Sequence, residues 1–306
     1  MIKNQPFIFV NYLSRSGSTL LCSLLDQYSD IDVGIEAGFP GFPEKITPNN
    51  DNPIHSKAEV SDYLDQLYSD NRFCSWNIPR ENLEKTLLAQ TKPITFELIL
   101  EACFNQYFNQ NLPKYIVHKA GYFIKDLETT RTLFPGSHHI YVTRDPRAIY
   151  ASQKNAISLY NNKPMALNLY RFCREFKLRH NIAMANKSAN DFSLIQYEKM
   201  ASNPTANIEK ILSKISISSN KKNNTDYQQK IPDAQKSLHK NLDSAPNQKS
   251  IDKWKEQLSD IEIFLIECLL TKELSSLRYT RHFNHFIRPL LFLKSLIVLF
   301  RSFLKF

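Results

Sequence analysis

The chain has 306 residues, of which 42% are hydrophobic and 23% charged, and a net charge of +9. That is ordinary for a soluble globular protein of one large domain or two small ones. The charge suits an anionic partner, whether a nucleotide, an acidic membrane surface or nucleic acid. The odd, scattered set Cys22, Cys74, Cys103, Cys173 and Cys268 has no CxxC pair and no metal spacing. It excludes a disulfide frame and reads as the reduced thiols of a cytosolic protein.

In chain order, the N-terminal run MIKNQPFIFVNYL enters a strand at residues 7–10 at once, so no signal peptide is expected. A loop follows, then a helix with Leu20, Leu21, Leu24, Leu25 and Tyr28 on one face. Residues 39–53 hold four prolines and read as a loop. Short apolar strands are predicted at 115–118, 139–142 and 192–196, and helical periods at 147–160, 167–186, 205–215 and 255–272. Residues 218–250 are polar and rich in Lys, Asn and Gln, and read as a disordered insertion, a flap or a plain surface loop. Strands alternating with helices imply an α/β fold, a three-layer sandwich with a central parallel sheet covered on both faces. Ligands then sit at the C-terminal ends of the strands.

The first loop carries Ser14, Arg15, Ser16, Gly17, Ser18 and Thr19. Gly17 permits a tight turn and close approach of an anion. Ser18 and Thr19 open a helix whose N–H groups face the loop, a ready anion site. Arg15 adds a fixed positive charge. Taken alone, the run fits a strand–helix turn with a serine cap equally well. It is not a Walker A motif, because the spacing is short and no lysine follows Gly17. A second run, HHIYVTRDPRAIYAS, ends a strand near Thr143. It places Arg144 at the strand end, with Asp145 as helix cap and Pro146 at the first helical position. Arg144 and Ser152 are about two helical turns apart and are expected to reach one phosphate.

Together the two runs resemble the PAPS-dependent sulfotransferase family, and most nearly its tyrosylprotein-sulfotransferase-like and bacterial branch. That family has a P-R-S-G-T-T-L loop for the 5′-phosphosulfate of 3′-phosphoadenosine 5′-phosphosulfate (PAPS) and an R-D-x-R-x-x-x-x-S run for its 3′-phosphate. The likeness continues in GIEAG from Gly34 to Gly38, in VHKAG around Lys119, in LFPGSHHIYVTRD, in LIQYEKMASNP and in SIDKWKEQLSDIEIFLIE. It runs from about residue 7 to residue 272. It implies a P-loop-like nucleotide-binding architecture in a single domain over residues 1–280, with residues 39–95 shaping acceptor specificity. It also implies that Arg15, Ser16, Gly17, Ser18, Thr19, Arg144, Ser152, Tyr197 and Lys253 hold PAPS, and that Glu36, Arg15 and Lys119 act in catalysis. Ser14, Ser18 and Ile35 depart from the family pattern; the loop changes are tolerable because backbone N–H groups do most of the binding.

The expected reaction is in-line attack of an acceptor hydroxyl or amine on sulfur, with PAP as product and no metal. Glu36 is the base that the resemblance selects, and His118 is its rival. Strand alternation puts His118 and Lys119 on opposite faces, so only one points into the site. The acceptor, a carbohydrate, lipid, peptide or small metabolite, is not readable. Two alternatives are a P-loop-like nucleotide kinase, weakened by the missing lysine, and an inactive membrane-associated nucleotide-binding protein. Nucleic acid fits poorly, because no basic–aromatic recognition motif is present. In the tail, 281–306, Lys294, Arg301 and Lys305 share one narrow helical face of an apolar run. That pattern fits a basic amphipathic helix on an anionic membrane, or a helix packed on protein.

Overall fold

The computed structural model describes residues 6–39, 52–108, 115–119, 121–158, 163–166, 168–218, 220–222, 227–231 and 251–283. Five parallel strands, β1 (Phe7–Tyr12), β2 (Ile31–Gly34), β3 (Tyr115–Lys119), β4 (His138–Thr143) and β5 (Phe192–Gln196), form one sheet in the order β2-β3-β1-β4-β5. All six residues of β1 are buried, as its central position between β3 and β4 requires. The sheet is flanked by helices on both faces, so the α/β sandwich expected from the alternation is the fold found. Three strands extend the predicted runs by a residue or two, and β5 has the predicted bounds. Strand β2 was not anticipated. Its sequence, IDVG, is short and interrupted by Asp32, and it is a strand because it pairs with β3 while Ile31 and Val33 reach the core.

The connections leaving β1 and β4 go to opposite faces. Helix α1 (Ser18–Leu25) buries Leu21 and Leu25 with Val10, Ile140 and Val142. The other face of the sheet receives α2 (Lys57–Tyr68), α3 (Asn71–Cys74), α4 (Arg80–Leu88) and α5 (Phe96–Tyr107), which cluster with Phe7, Phe9 and Ile116. The described part of the acceptor-side region expected over 39–95 is therefore a helical layer. Ser56 and Glu59 start α2 with a reciprocal capping box. A 3₁₀ turn and α6 (Leu127–Leu133) lead into β4. Helix α7 (Pro146–Asn155) follows it, and α8 (Leu169–Asn186) packs Ala183 on Tyr141. Divergence of the β1 and β4 connections opens a crevice at the C-terminal edge between these two strands.

Three expectations are corrected. The helix predicted over 147–160 ends at Asn155, where Ala156 turns extended and Ile157 bridges to Pro164. The run 255–272 is not one helix but three, Trp254–Gln257, Asp260–Leu269 and Thr271–Ser276. The first break is made by Ser259, whose side chain caps the next helix in a box with Glu262. After β5 comes a short helix that was not predicted, α9 (Tyr197–Ser202), and then α10 (Pro204–Lys214), which matches the helix expected at 205–215. Third, part of the polar stretch is docked rather than loose. The buried carboxylate of Asp26 accepts from the Tyr227 backbone N–H at 3.1 Å and pairs with Lys222 Nζ at 3.3 Å. The short helix α11 (Tyr227–Lys230) adds a Lys230–Asp32 pair at 2.6 Å. Residues 232–250 and the tail 284–306 lie outside the described residues. Among the described residues no helix is long and apolar enough to cross a membrane.

Candidate functional site

The loop after β1 is bent by two left-handed residues, Arg15 at φ 75° and Gly17 at φ 98°. Such alternation turns successive N–H groups toward one concavity, a shape that holds anions. For arginine the conformation costs of order 1–3 kcal/mol, a strain typical of ligand sites. Gly17 is also the N-cap of α1, and no side chain caps that helix end. A Cβ on Gly17 would collide with the ring of Tyr197. Glycine is therefore required here for two reasons, its positive φ and the aromatic wall beside it. The Ser16 hydroxyl is buried under the loop without a hydrogen-bond partner.

The second motif is stapled to the first. Arg15 Nε donates to Ser152 Oγ at 3.0 Å, and Gln153 Nε2 donates to the Ser14 carbonyl at 2.7 Å. The Arg144 guanidinium lies over the Tyr197 ring at 4.4 Å and reaches the Arg15 carbonyl at 3.5 Å. Burial, and next the charge of Arg144, push the Arg15 pKa down. Two guanidinium groups crowded together in this way favour a polyvalent anion between them. Asp145 caps α7 as expected, accepting from Arg147 N at 2.9 Å. Glu198 accepts from Asp145 N at 3.0 Å and from Tyr279 Oη at 2.6 Å, which fixes the β4 strand end. Sequence reading expected Arg144 and Ser152 to reach one phosphate; in the structure Ser152 bonds Arg15, and Arg144 lies on the aromatic face of Tyr197.

The acid and the lysine arrive from the other side of β1. Lys119, at the end of β3, donates from Nζ to Thr19 Oγ1 at 3.1 Å. The same Nζ is 3.7 Å from Glu36 Oε2 and 5.4 Å from the Tyr12 ring centroid. Glu36 follows β2 and also meets Arg72 Nη1 at 3.4 Å. The Tyr12 hydroxyl has no well-formed hydrogen bond, and burial, with the Glu36 charge behind it, raises its pKa well above the usual value. Tyr12 therefore stays neutral beside the carboxylate.

His118 is not in this cluster. It points to the opposite face of the sheet, fully buried, with the rings of Phe104, Phe123 and Trp76 at 5.1, 5.6 and 5.9 Å. Burial lowers its pKa to about 3 and neither ring nitrogen has a partner, so it packs as a neutral aromatic ring. Lys253 is exposed at the start of the Trp254–Gln257 helix. Arg72 and Tyr12 were missed. Arg72 lies in the region expected only to shape acceptor specificity, and none of the runs that carry the resemblance includes it. Tyr12 was hidden as the last apolar residue of a strand. Among the described residues no cluster of His, Cys, Asp or Glu could hold a metal ion.

Residues 6–220 match the profile of the sulfotransferase family. A sequence search of curated proteins gave no match. The sulfotransferase domain of the Synechococcus PCC 7002 olefin synthase superposes with a TM-score of 0.60 at 14% identity, covering 90% of this chain and 95% of that one. The sulfotransferase domain of the curacin biosynthetic pathway gives 0.54 at 16% identity, covering 90% and 98%. A mouse sulfotransferase solved with PAP gives 0.47 at 12% identity, covering 88% and 85%.

Proposed function

Because the chain belongs to the sulfotransferase family, we propose that it moves a sulfuryl group from PAPS to a hydroxyl or amine of an acceptor, with Glu36 taking the acceptor proton. The observation that carries this reading is the Lys119 ammonium, which joins Thr19 of the phosphate loop to the Glu36 carboxylate. One cation thus links the place for a nucleotide phosphate to the place for a base.

The residues fit the donor. The uncapped end of α1, the buried Ser16 hydroxyl and Arg15 suit its 5′-phosphosulfate. Arg144, seated on Tyr197 next to Arg15, suits the 3′-phosphate, and Ser152 holds Arg15 in place. Lys253 is left as a solvent-side contact at most. In the reaction the acceptor oxygen or nitrogen bonds to sulfur, the bond from sulfur to the 5′-phosphate oxygen breaks, and Glu36 accepts the proton. Negative charge grows on the departing phosphate, where Lys119, Thr19 and Arg15 can stabilise it. The divergence between kinase-like and sulfotransferase loops also supports the reading, since Gly17 is followed by Ser18 and Thr19 and not by a lysine.

Calorimetry with PAP tests the donor assignment. Magnesium-independent binding is expected, with Arg144→Ala weakening it by about 10- to 10²-fold, the size of a lost hydrogen bond to a charged group. Preference for ATP with magnesium would overturn the assignment. For the tail, the basic amphipathic pattern of residues 284–306 supports peripheral contact with an anionic membrane, which would bring a lipid-linked acceptor within reach. Removal of residues 284–306 is then expected to abolish co-flotation with phosphatidylserine-containing liposomes; equal flotation of both proteins would exclude this contact.

A further inference from the structure

Glu36 sits on a short segment between β2 and residue 39 that, among the described residues, pairs with no strand. Its chain neighbours are fastened from outside. Trp76 Nε1 donates to the Ile35 carbonyl at 3.1 Å, and the Ile35 N–H donates to Tyr107 Oη at 3.3 Å. Tyr122 Oη donates to the Ala37 carbonyl at 3.0 Å. Trp76 and Tyr107 stack on each other at 4.2 Å between centroids. The backbone on both sides of Glu36 is thus held by three aromatic side chains, two of them from the helical layer.

The carboxylate is held by the same layer. Arg72 opens α3 beside its cap residue Asp70, and its fork is committed to that residue. Arg72 Nε meets Asp70 Oδ1 at 3.0 Å, and the Arg72 backbone N–H meets the same oxygen at 2.8 Å. The fork's Nη2 pairs with Asp70 Oδ2. That leaves Nη1 aimed at Glu36 Oε1. Gly38 makes room for the arrangement, because a Cβ there would run into both Asp70 and Arg72. A planar, bidentate guanidinium can serve two carboxylates in fixed geometry, which a lysine ammonium cannot.

We propose that Arg72, locked by Asp70, is a positioning residue that holds one oxygen of Glu36 and so turns the other, on the Lys119 side, toward the acceptor. The inference rests on the reading of Glu36 as the base. It gives the helical layer a part in the chemistry as well as in acceptor choice. It also explains why an acid on an unpaired loop can be fixed to the tolerance that proton transfer needs.

Carboxyl footprinting of the full chain with carbodiimide and glycine ethyl ester, read by mass spectrometry, tests it without an acceptor. Labelling of Glu36 is expected to rise severalfold in both Arg72→Met and Arg72→Lys, and less in Tyr122→Phe. Glu59, in its capping box, should label as in the wild type, and PAP affinity should not change. With unsubstituted phenol as acceptor, which is protonated at neutral pH and so needs a base, kcat for PAP release is expected to fall about 10²-fold in both Arg72 variants, the cost of a misplaced group, with KM for PAPS unchanged. Wild-type labelling of Glu36 in the Arg72 variants would overturn the inference, as would full rescue by Arg72→Lys. A rise at every carboxylate in Arg72→Met, with none at Glu36 in Tyr122→Phe, would also overturn it. If the wild type fails to bind PAP, the donor assignment falls, while the Glu36 labelling still decides the part played by Arg72.

Discussion

Glu36→Gln is expected to lower kcat for sulfuryl transfer by about 10²- to 10⁴-fold, the usual contribution of a positioned general base. PAP binding is expected to survive. Glutamine keeps the length of the side chain and a carbonyl oxygen for Arg72 Nη1, so the neighbouring geometry is retained. Lys119 keeps its bond to Thr19, which holds the phosphate side of the site. Single-turnover PAP release and calorimetric PAP binding, measured on the same protein, separate the two effects. A loss of less than about tenfold in kcat would remove Glu36 from the chemistry, since that is below the range for a base. Parallel loss of PAP affinity would assign it to nucleotide binding instead.

The second large effect concerns stability. Arg147 is almost fully buried and serves three acceptors: Asp145 at 2.7 Å, Glu267 at 2.6 Å and the Thr280 carbonyl at 2.9 Å. Its guanidinium also stacks on Trp254 at 4.1 Å. Burial opposes its charge, but Asp145 and Glu267 outweigh burial and raise its pKa. Arg147→Met leaves two carboxylates in the interior without their cation. Breaking a buried pair from one side costs about 3–5 kcal/mol. A lower midpoint in urea with an unchanged slope is the expected readout. Arg147→Met combined with Glu267→Leu should recover part of the loss, because an apolar replacement carries no stranded charge. The network also joins the Asp145 cap to the C-terminal helices, so PAP binding at the adjacent Arg144 should weaken along with it.

The sequence made the centre of the sheet and one edge readable and left the other edge, β2, obscure. Strands β1, β3 and β4 announce themselves because a parallel strand covered on both faces reads as a largely apolar run, and the edge strand β5 keeps enough of that pattern in Phe192, Leu194 and Ile195 to be read as well. Strand β2 has Asp32 in its middle, and only pairing with β3 reveals it. The break at Ser259 was present as a local S-x-x-E signature, but an apolar helical period running across it masked the cap. In the site, residues within one loop were legible: Arg15, Gly17 and the Arg144–Asp145–Pro146 turn each follow from local chemistry. Contacts between distant residues were not. The partner of Ser152 is Arg15, 137 positions away, and Arg72 comes to Glu36 from a helix that no period assigns to the site. Alternation showed that His118 and Lys119 must part company. Which one faces the loop follows only from the aromatic layer that closes over His118.

The strand order also sets a timetable. Arg15 and Ser152 are 137 residues apart, and β1 pairs on either side with strands made after α5. At about 5–20 residues per second of synthesis, the nucleotide loop waits roughly 7–27 s for its second half to be made. Until β3 is made, which takes up the greater part of that interval, the central strand is complete but has neither neighbour. The first surfaces able to cover Phe7 and Phe9 come from the helical layer, which packs against them through Phe104. The part of the site that is made first is thus finished last, and capture of nucleotide by a growing chain would mark the moment when β4 and α7 have taken their places.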